Sequence, residues 1–341
     1  MSHPTPVLRR SLLVLALAGL SAGAWAQTAS RTATTTPAAA PAPNWPSKPV
    51  RIVVGFPAGS SPDLTARTLA EPLSKMLGQP VIVENKVGAG GNIGADAVAK
   101  ATDNHTIGLM INGNMTIAKL LNPKVPYDPI KDLAPISLIG VSPLVLTAPV
   151  NSPGATSSEF FVAARNAGDK WSYGSPGVGT VGHIGMELLK TKTNINPVHV
   201  PYPGYPQVAT AMVAGDLQLS MLPPALANAQ VKAGKLRAIG VTSSGRSPLV
   251  PELPSMSEAG VNGFNLEIWN AMAAPRSMPQ PIVNKLSAAF SEIARSPEIR
   301  AKLFQQGWQV VGSSSEGLAN RIKTDTNLLG GVIAMRGIKA E

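Results

Sequence analysis

The sequence has 341 residues and no cysteine, which excludes a disulfide framework, thiol catalysis and every cysteine-based zinc site. Histidine is nearly as scarce. His3, His105, His183 and His199 lie too far apart in sequence to read as a metal cluster, so neither a metal nor a cofactor is expected. Aromatic residues make up only 4% and charged residues 14%. The net charge of +10 is dispersed and has few aromatics interleaved with it, so a nucleic-acid surface is not expected. The chain also lacks a G-x-S-x-G elbow, an H-E-x-x-H helix and a G-x-x-x-x-G-K-[ST] loop, and no carboxylate pair or Ser/His/Asp set stands out. No enzyme is implied.

What is present suits an exported protein of two domains. Arg9 and Arg10 precede the apolar run Ser11 to Ala18, and Ala24-Trp25-Ala26 has the small residues of a cleavage site. Residues 1–26 therefore read as a signal peptide, too short in its apolar part for a spanning helix of about 20 residues. Residues 27–44 read as a flexible Ala/Thr/Pro leader. No later stretch reaches spanning length without a Gly, Pro or charge, so the mature chain is expected to be soluble and periplasmic.

The remainder alternates strand, glycine loop and helix. Val50 to Val54 is an apolar strand, followed by Gly55-Phe56-Pro57-Ala58-Gly59-Ser60-Ser61-Pro62-Asp63. Ser61 fits an N-cap with Pro62 at the first helical position, Leu69, Leu73, Met76 and Leu77 recur at helical spacing, and Gly78 is a stop signal. Pro72 predicts a kink. Strands follow at 81–84 and 106–111, with a helix over 92–101 between them. A second round has strands at 171–173, 197–201, 217–222 and 236–241, helices over 160–166, 181–190 and 208–214, and further helices over 280–295 and 318–329. Residues 123–135 read as turn. This pattern predicts two α/β lobes with parallel sheets covered on both faces. Leu144 to Leu146 and Ile239 to Val241 are apolar strands placed where the chain would cross, so the expected domains are 45–146 plus 241–341, and 147–240.

Two loops carry the chemistry. Gly177-Val178-Gly179-Thr180-Val181-Gly182 fits G-x-G-x-x-G between strand and helix, yet no acid follows near Val200 to Gly204 to hold a ribose. Glycines still let backbone N–H groups and a helix N-terminus face an anion, and a carboxylate suits such a cradle as well as a phosphate. The first loop repeats the construction and adds the hydroxyls of Ser60 and Ser61. Tight turns alone remain an alternative for both. Asp63 fits a helix-dipole interaction as well as a ligand contact. His183 fits a packing or capping role, Asn112 and Asn114 either a turn or amide donors at the cleft rim, and Trp269 either core or cleft wall.

The residues carry a specific resemblance. Val53-Val54-Gly55-Phe56-Pro57-Ala58-Gly59, Leu77-Gly78-Gln79-Pro80-Val81, Gly88-Ala89-Gly90-Gly91-Asn92, Val125-Pro126-Tyr127-Asp128-Pro129, Tyr173-Gly174-Ser175-Pro176-Gly177 and His199-Val200-Pro201-Tyr202 occur in that order. The chain from Trp45 onward resembles the Bug-type extracytoplasmic receptors of the tripartite tricarboxylate transporter family. That resemblance implies a two-lobed, type II periplasmic-binding-protein-like fold with a hinge of crossing strands. It implies a monomer that binds a small organic carboxylate (a dicarboxylate, an acidic amino acid or an aromatic acid). The membrane partner would be a set of transporter subunits or, on an alternative reading, a sensor kinase. An enzyme acting on an organic acid is a third reading. It places Ala58, Gly59, Ser60, Ser61 and Asp63 on one jaw, and Ser175, Gly177, Val178, Gly179, Thr180 and His183 on the other, with Asn112, Asn114 and Tyr202 completing the expected site. Ser60 stands where the family usually has a second glycine, and Gln218 and Leu222 stand where it often has aspartates.

Overall fold

Short apolar strands followed by amphipathic helices set the order of the chain. The computed structural model describes residues 45–338, so the expected signal peptide and leader lie outside the described residues. The chain runs β1 (Val50–Val54), α1 (Ser61–Leu77), β2 (Val81–Asn85), α2 (Asn92–Ala99), β3 (Thr106–Ile111), α3 (Asn112–Thr116), α4 (Ala118–Leu121), α5 (Pro129–Asp132), β4 (Leu133–Pro143) and β5 (Val145–Pro149). It continues with α6 (Ser157–Ala167), β6 (Ser172–Ser175), α7 (Val181–Thr193), β7 (Val198–Pro201), α8 (Tyr205–Ala214), β8 (Leu219–Leu222), α9 (Pro224–Lys232) and β9 (Leu236–Val241). β10 (Glu267–Pro275), α10 (Gln280–Arg295), α11 (Pro297–Gln305), β11 (Gln309–Val310) and α12 (Ser315–Arg336) complete it.

Two sheets result, with strand orders β11-β4-β10-β3-β1-β2 and β7-β6-β8-β5-β9. The expected all-parallel arrangement is corrected: β1 pairs in parallel with β2 and β3, and β6 with β7 and β8, but β10 is antiparallel to β3 and β4, and β5 to β8 and β9. The reason lies in burial. β4 and β10 are covered on both faces, so their sequences show the near-continuous apolar run that parallel strands also show. β4 itself replaces the turn expected up to Pro135; Pro135, Gly140 and Pro143 imitate turn signals inside an 11-residue strand.

α1 differs in its start. Its N-cap is Ser60 rather than Ser61, and no side chain caps it. The helix continues through Pro72 and ends at Gly78, whose φ of 67° gives the left-handed turn that a glycine stop provides. Leu69 and Leu73 face the core, whereas Met76 is exposed.

The chain passes from the first sheet to the second at Leu144 and returns after Val241. Thr242 ties the two passages together. Its N–H donates to the Leu144 carbonyl (2.8 Å), its Oγ1 accepts from the Leu144 N–H (2.8 Å) and donates to the Leu266 carbonyl (2.7 Å), and its own carbonyl accepts from the Leu266 N–H (2.9 Å). Residues 254–256 lie beside the end of β9, joined to it by a bridge between Val241 and Ser255.

Candidate ligand-binding site

The β1–α1 turn is tight because Ser60 N–H bonds to Pro57 O (3.1 Å) and Gly59 sits at φ +79°, where glycine is unstrained. Asp63 organises the turn from inside. Its carboxylate accepts from Gly59 N–H (2.9 Å), Arg67 Nε (3.0 Å) and Asn85 Nδ2 (2.8 Å). Burial pushes this carboxyl up, but the bonds from Arg67, Asn85 and Gly59 outweigh it and hold it below the ordinary carboxylate value. Both oxygens are thus engaged within the loop, and Ala58 and Gly59 are exposed on its outer side. The hydroxyls of Ser60 and Ser61 are different: both Oγ atoms are buried and have no partner.

The β6–α7 turn is organised by imidazoles. Ser175 Oγ lies 2.7 Å from His199 Nε2 and accepts from Gly177 N–H (3.2 Å). Thr180 caps α7, its Oγ1 accepting from His183 N–H (3.4 Å) and donating to Gly177 O (2.8 Å). Gly179 N–H donates to His183 Nδ1 (3.3 Å), which must therefore be unprotonated. The rings of His183 and His199 stack at 4.3 Å, with Tyr173 stacked 4.9 Å beyond His199. Burial lowers His183, and burial together with the neighbouring His183 lowers His199 to about 4. Glu187 and Lys190 face the same cluster, Glu187 accepting from Tyr173 OH at 2.7 Å and from Lys190 Nζ at 3.0 Å.

The β6–α7 turn meets the β2–α2 loop and the start of α3 through backbone. A Cβ built on Gly113 would lie 2.5 Å from the Gly179 carbonyl oxygen, and one on Gly90 would lie 2.9 Å from that of Val178. Only glycines permit this approach. Asn114 holds the same junction, donating to Gly90 O (3.0 Å) and Asn92 Oδ1 (2.9 Å).

Two spaces flank the junction, and they divide the expected site residues. An outer groove of about 690 Å³ is lined by Asn114, Gly177, Val178, Gly179 and Tyr202 among others. An inner cavity of about 30 Å³ is lined by Ser60, Ser61, Asn112 and Thr180. It has room for about two waters, each needing roughly 10–15 Å³. Ala58, Gly59, Asp63, Ser175 and His183 line neither space. Sequence reasoning missed several cavity walls: Tyr205, Ile268 and, above all, Trp308.

The inner cavity has the chemistry of a binding site. Ser60, Ser61, Asn112 and Trp308 all line it, and Ser60 Oγ, Ser61 Oγ, Asn112 Oδ1 and Trp308 Nε1 are buried without a hydrogen-bond partner. Each such group costs about 1–3 kcal/mol unless something satisfies it. Asn112 Nδ2 donates to Glu267 O (3.1 Å), which leaves Oδ1 as the end without a partner. Trp269 contributes a wall while its Nε1 donates to Asp325 Oδ2 (2.5 Å), so it serves core and cleft together. The N-termini of α1 and α7, of 17 and 13 residues, reach the cavity from opposite sides through Ser61 and Val181. Their first N–H groups have no intrahelical acceptor and carry partial positive charge. Among the described residues no group of His, Asp and Glu is arranged to hold a metal.

Two mixed sheets joined by crossing strands, with facing loop–helix turns, define a two-lobed type II periplasmic-binding-protein-like fold. The family model described as "Tripartite tricarboxylate transporter family receptor" matches residues 65–338, and the chain belongs to that family. A UPF0065 protein of Pseudomonas sp. (strain P51) is 35% identical over 284 residues, covering 83% of this chain and 84% of the relative. The periplasmic binding protein BugD superposes with a TM-score of 0.82 at 31% identity, covering 87% of this chain and all of BugD (100%). MatC from Rhodopseudomonas palustris, solved with bound malate, gives 0.80 at 32% identity over 85% of this chain and 100% of MatC. The chain is accordingly a solute-binding receptor rather than an enzyme. Among the described residues no helix is long and apolar enough to cross a membrane.

Proposed function

We propose that this receptor captures a small organic carboxylate between the β1–α1 and β6–α7 turns and presents it to the membrane subunits of a tripartite tricarboxylate-type transporter. The observation that carries this is that Ser60, Ser61, Asn112 and Trp308, each with a buried polar atom that lacks a partner, and two helix N-termini are gathered between the turns. Malate bound to MatC supports the ligand class. In this reading residues 45–146 with 241–341 form one lobe and 147–240 the other, the protein works as a monomer, and it reaches the periplasm by cleavage after Ala26.

No Lys or Arg lies in Phe56 to Asp63 or in Ser172 to His183, and Arg67 is engaged by Asp63 and Asn85. The anion therefore rests on neutral donors: backbone N–H groups and the hydroxyls of Ser60 and Ser61. Such bonds to a charged acceptor contribute about 1.5–3 kcal/mol each, and buried donors are little screened. The test is mass spectrometry of the acid that co-purifies, followed by calorimetry with that acid across a salt series. Affinity should change little with salt, and little on neutralising Lys232 or Lys235. A steep salt dependence, or a co-purifying ligand without a carboxylate, would overturn the reading.

A further inference from the structure

Two motifs of this chain, Gly88-Ala89-Gly90-Gly91-Asn92 and Val125-Pro126-Tyr127-Asp128-Pro129, take no part in lining the inner cavity. They meet each other instead. The Tyr127 hydroxyl has one proton to give and lies 2.8 Å from Asn92 Oδ1 and 2.9 Å from the Asn114 carbonyl. Asn114 directs its amide protons to Asn92 Oδ1 and the Gly90 carbonyl, and its Oδ1 accepts from Ile111 N–H at 3.4 Å. Tyr127 and Asn114 are both buried. Asp128 fixes the next turn by accepting from Ile130 N–H (3.0 Å) and Lys131 N–H (3.2 Å). The loop that this network holds is strained. Gly88, Ala89, Gly90 and Gly91 all have positive φ, and Ala89, at +49°, lacks the freedom of glycine. Such a conformation persists only where its surroundings impose it.

The β2–α2 loop meets the β6–α7 turn by shape alone. Among the described residues no hydrogen bond joins Gly90 or Gly113 to residues 176–180. A gap of about 0.5–1 Å already loses a quarter to a half of such an attraction. We propose that Asn92, Asn114 and Tyr127 are a clasp that positions this loop against the β6–α7 turn and so sets how long a bound acid stays, without touching it. This rests on the reading in which the acid is captured between the turns. Asn114 is then a positioning residue rather than one that holds the acid. The clasp is well placed for the task. β2 and β7 are the edge strands of the two sheets on the side away from β4, β10, β5 and β9, the strands that lead to and from Thr242. A small turn about Thr242 moves that side furthest, so contact there has the most leverage on opening.

The experiment joins affinity to lobe separation. The chain has no cysteine, so spin labels at Ile82→Cys and Val198→Cys, exposed on β2 and β7, report the distance between the lobes. The probes are malate, glutamate, adipate and benzoate, followed by calorimetry and displacement kinetics. Tyr127→Phe, which removes only the hydroxyl, should weaken the best probe about fivefold, and Asn114→Ala at least about tenfold, both through faster release. Both variants should also lengthen the mean label distance, with or without a probe. Asn92→Ala combined with Tyr127→Phe should weaken binding no more than the larger single change, because both act through one contact. Thermal melts check that the variants fold. Native affinity and release rate in a folded Tyr127→Phe protein would overturn the proposal. Weaker binding with unchanged label distances, the pattern of a direct contact with the acid, would overturn it as well. Binding of no probe would overturn the carboxylate reading alone. The clasp then stands if the labels lie further apart in the variants than in the native protein, and falls if the distances are equal.

Discussion

The two turns that face each other across the cavity are built from the same strand–loop–helix plan and are held by opposite means. The first is fixed by a charge: buried Asp63 gathers Gly59 N–H, Arg67 and Asn85. Its serine hydroxyls stay unpartnered, on residues that line the cavity. The second is fixed by neutral groups. Ser175, Thr180, His183 and His199 bond the loop from within, so its hydroxyls are already engaged. One jaw thus offers side-chain donors and the other offers backbone and a helix end. The contrast teaches that serine and threonine at matching places on the two loops do different work, and three measurements can break or sharpen it.

Replacing a glycine should do the most damage, and unequally. Gly179 and Gly59 share a left-handed φ, +81° and +79°. A Cβ on Gly179 lies 2.7 Å from Leu121 Cδ1, whereas one on Gly59 meets nothing within 4 Å. Gly179→Val should lower affinity near a hundredfold, about 2–3 kcal/mol of strain and displacement of the loop from Gly113, and Gly59→Val should cost clearly less. The damage comes from the backbone and Leu121 rather than from filling the cavity, which Gly179 does not line. Equal losses in calorimetry would mean that the loops are not asymmetric.

Acid should loosen the second jaw before the first. His199 falls from the ordinary 6.5 to about 4, because of burial first and His183 second. The unfolded chain therefore binds more protons between these values. Stability is complete above pH 6.5 and declines as pH drops toward 4, by roughly 1–2 kcal/mol once solvent screening of the half-buried ring is allowed for. Asp63 works in the same direction but at lower pH: its carboxyl is held below 3.8, so its contribution is present above that value and is lost only below it. Denaturant melts from pH 7 to pH 4 should show the decline, and His199→Gln should flatten it. A flat profile in the native protein would remove the imidazoles from the loop's support.

The smallest effects separate the hydroxyls. Ser60→Ala and Ser61→Ala should each reduce ligand affinity about tenfold with no loss of apo stability, since an unpartnered buried group is removed. Ser175→Ala and Thr180→Ala should lower the free energy of unfolding by about 1 kcal/mol each, through lost loop and cap bonds. The reverse assignment of affinity and stability effects would undo the comparison.

Much of this frame is legible in the sequence, for identifiable reasons. Strands 106–111 and 236–241 and helix 280–295 have the bounds that apolar runs and periodicity predict. β4, β10, α9 and α11 escape. β4 carries internal Pro and Gly, β10 is buried on both faces, and α9 and α11 are short helices with few buried residues. At the site, Ser60, Ser61, Asn112 and Thr180 follow from loop chemistry. Trp308 does not, since it lies far along the chain from Asn112 and only folding brings the two to one cavity. The signal for it was its rarity: one of five tryptophans, each a large ring with a polar handle, in a chain poor in aromatics. The pairing of Asp63 with Asn85 was likewise invisible, because it depends on β1 and β2 lying side by side.

The knot at Thr242 bears on how the halves can move. Both passages between the sheets are bonded to this one residue, Leu144 on one side and Leu266 on the other. Two free ribbons would let one half slip past the other. Riveted at a common point, they behave as a spindle, which resists sliding and leaves turning as the soft direction. In the proposed two-jaw reading, a jaw mounted this way returns to the same register, so the β6–α7 turn meets Gly90 and Gly113 without a search.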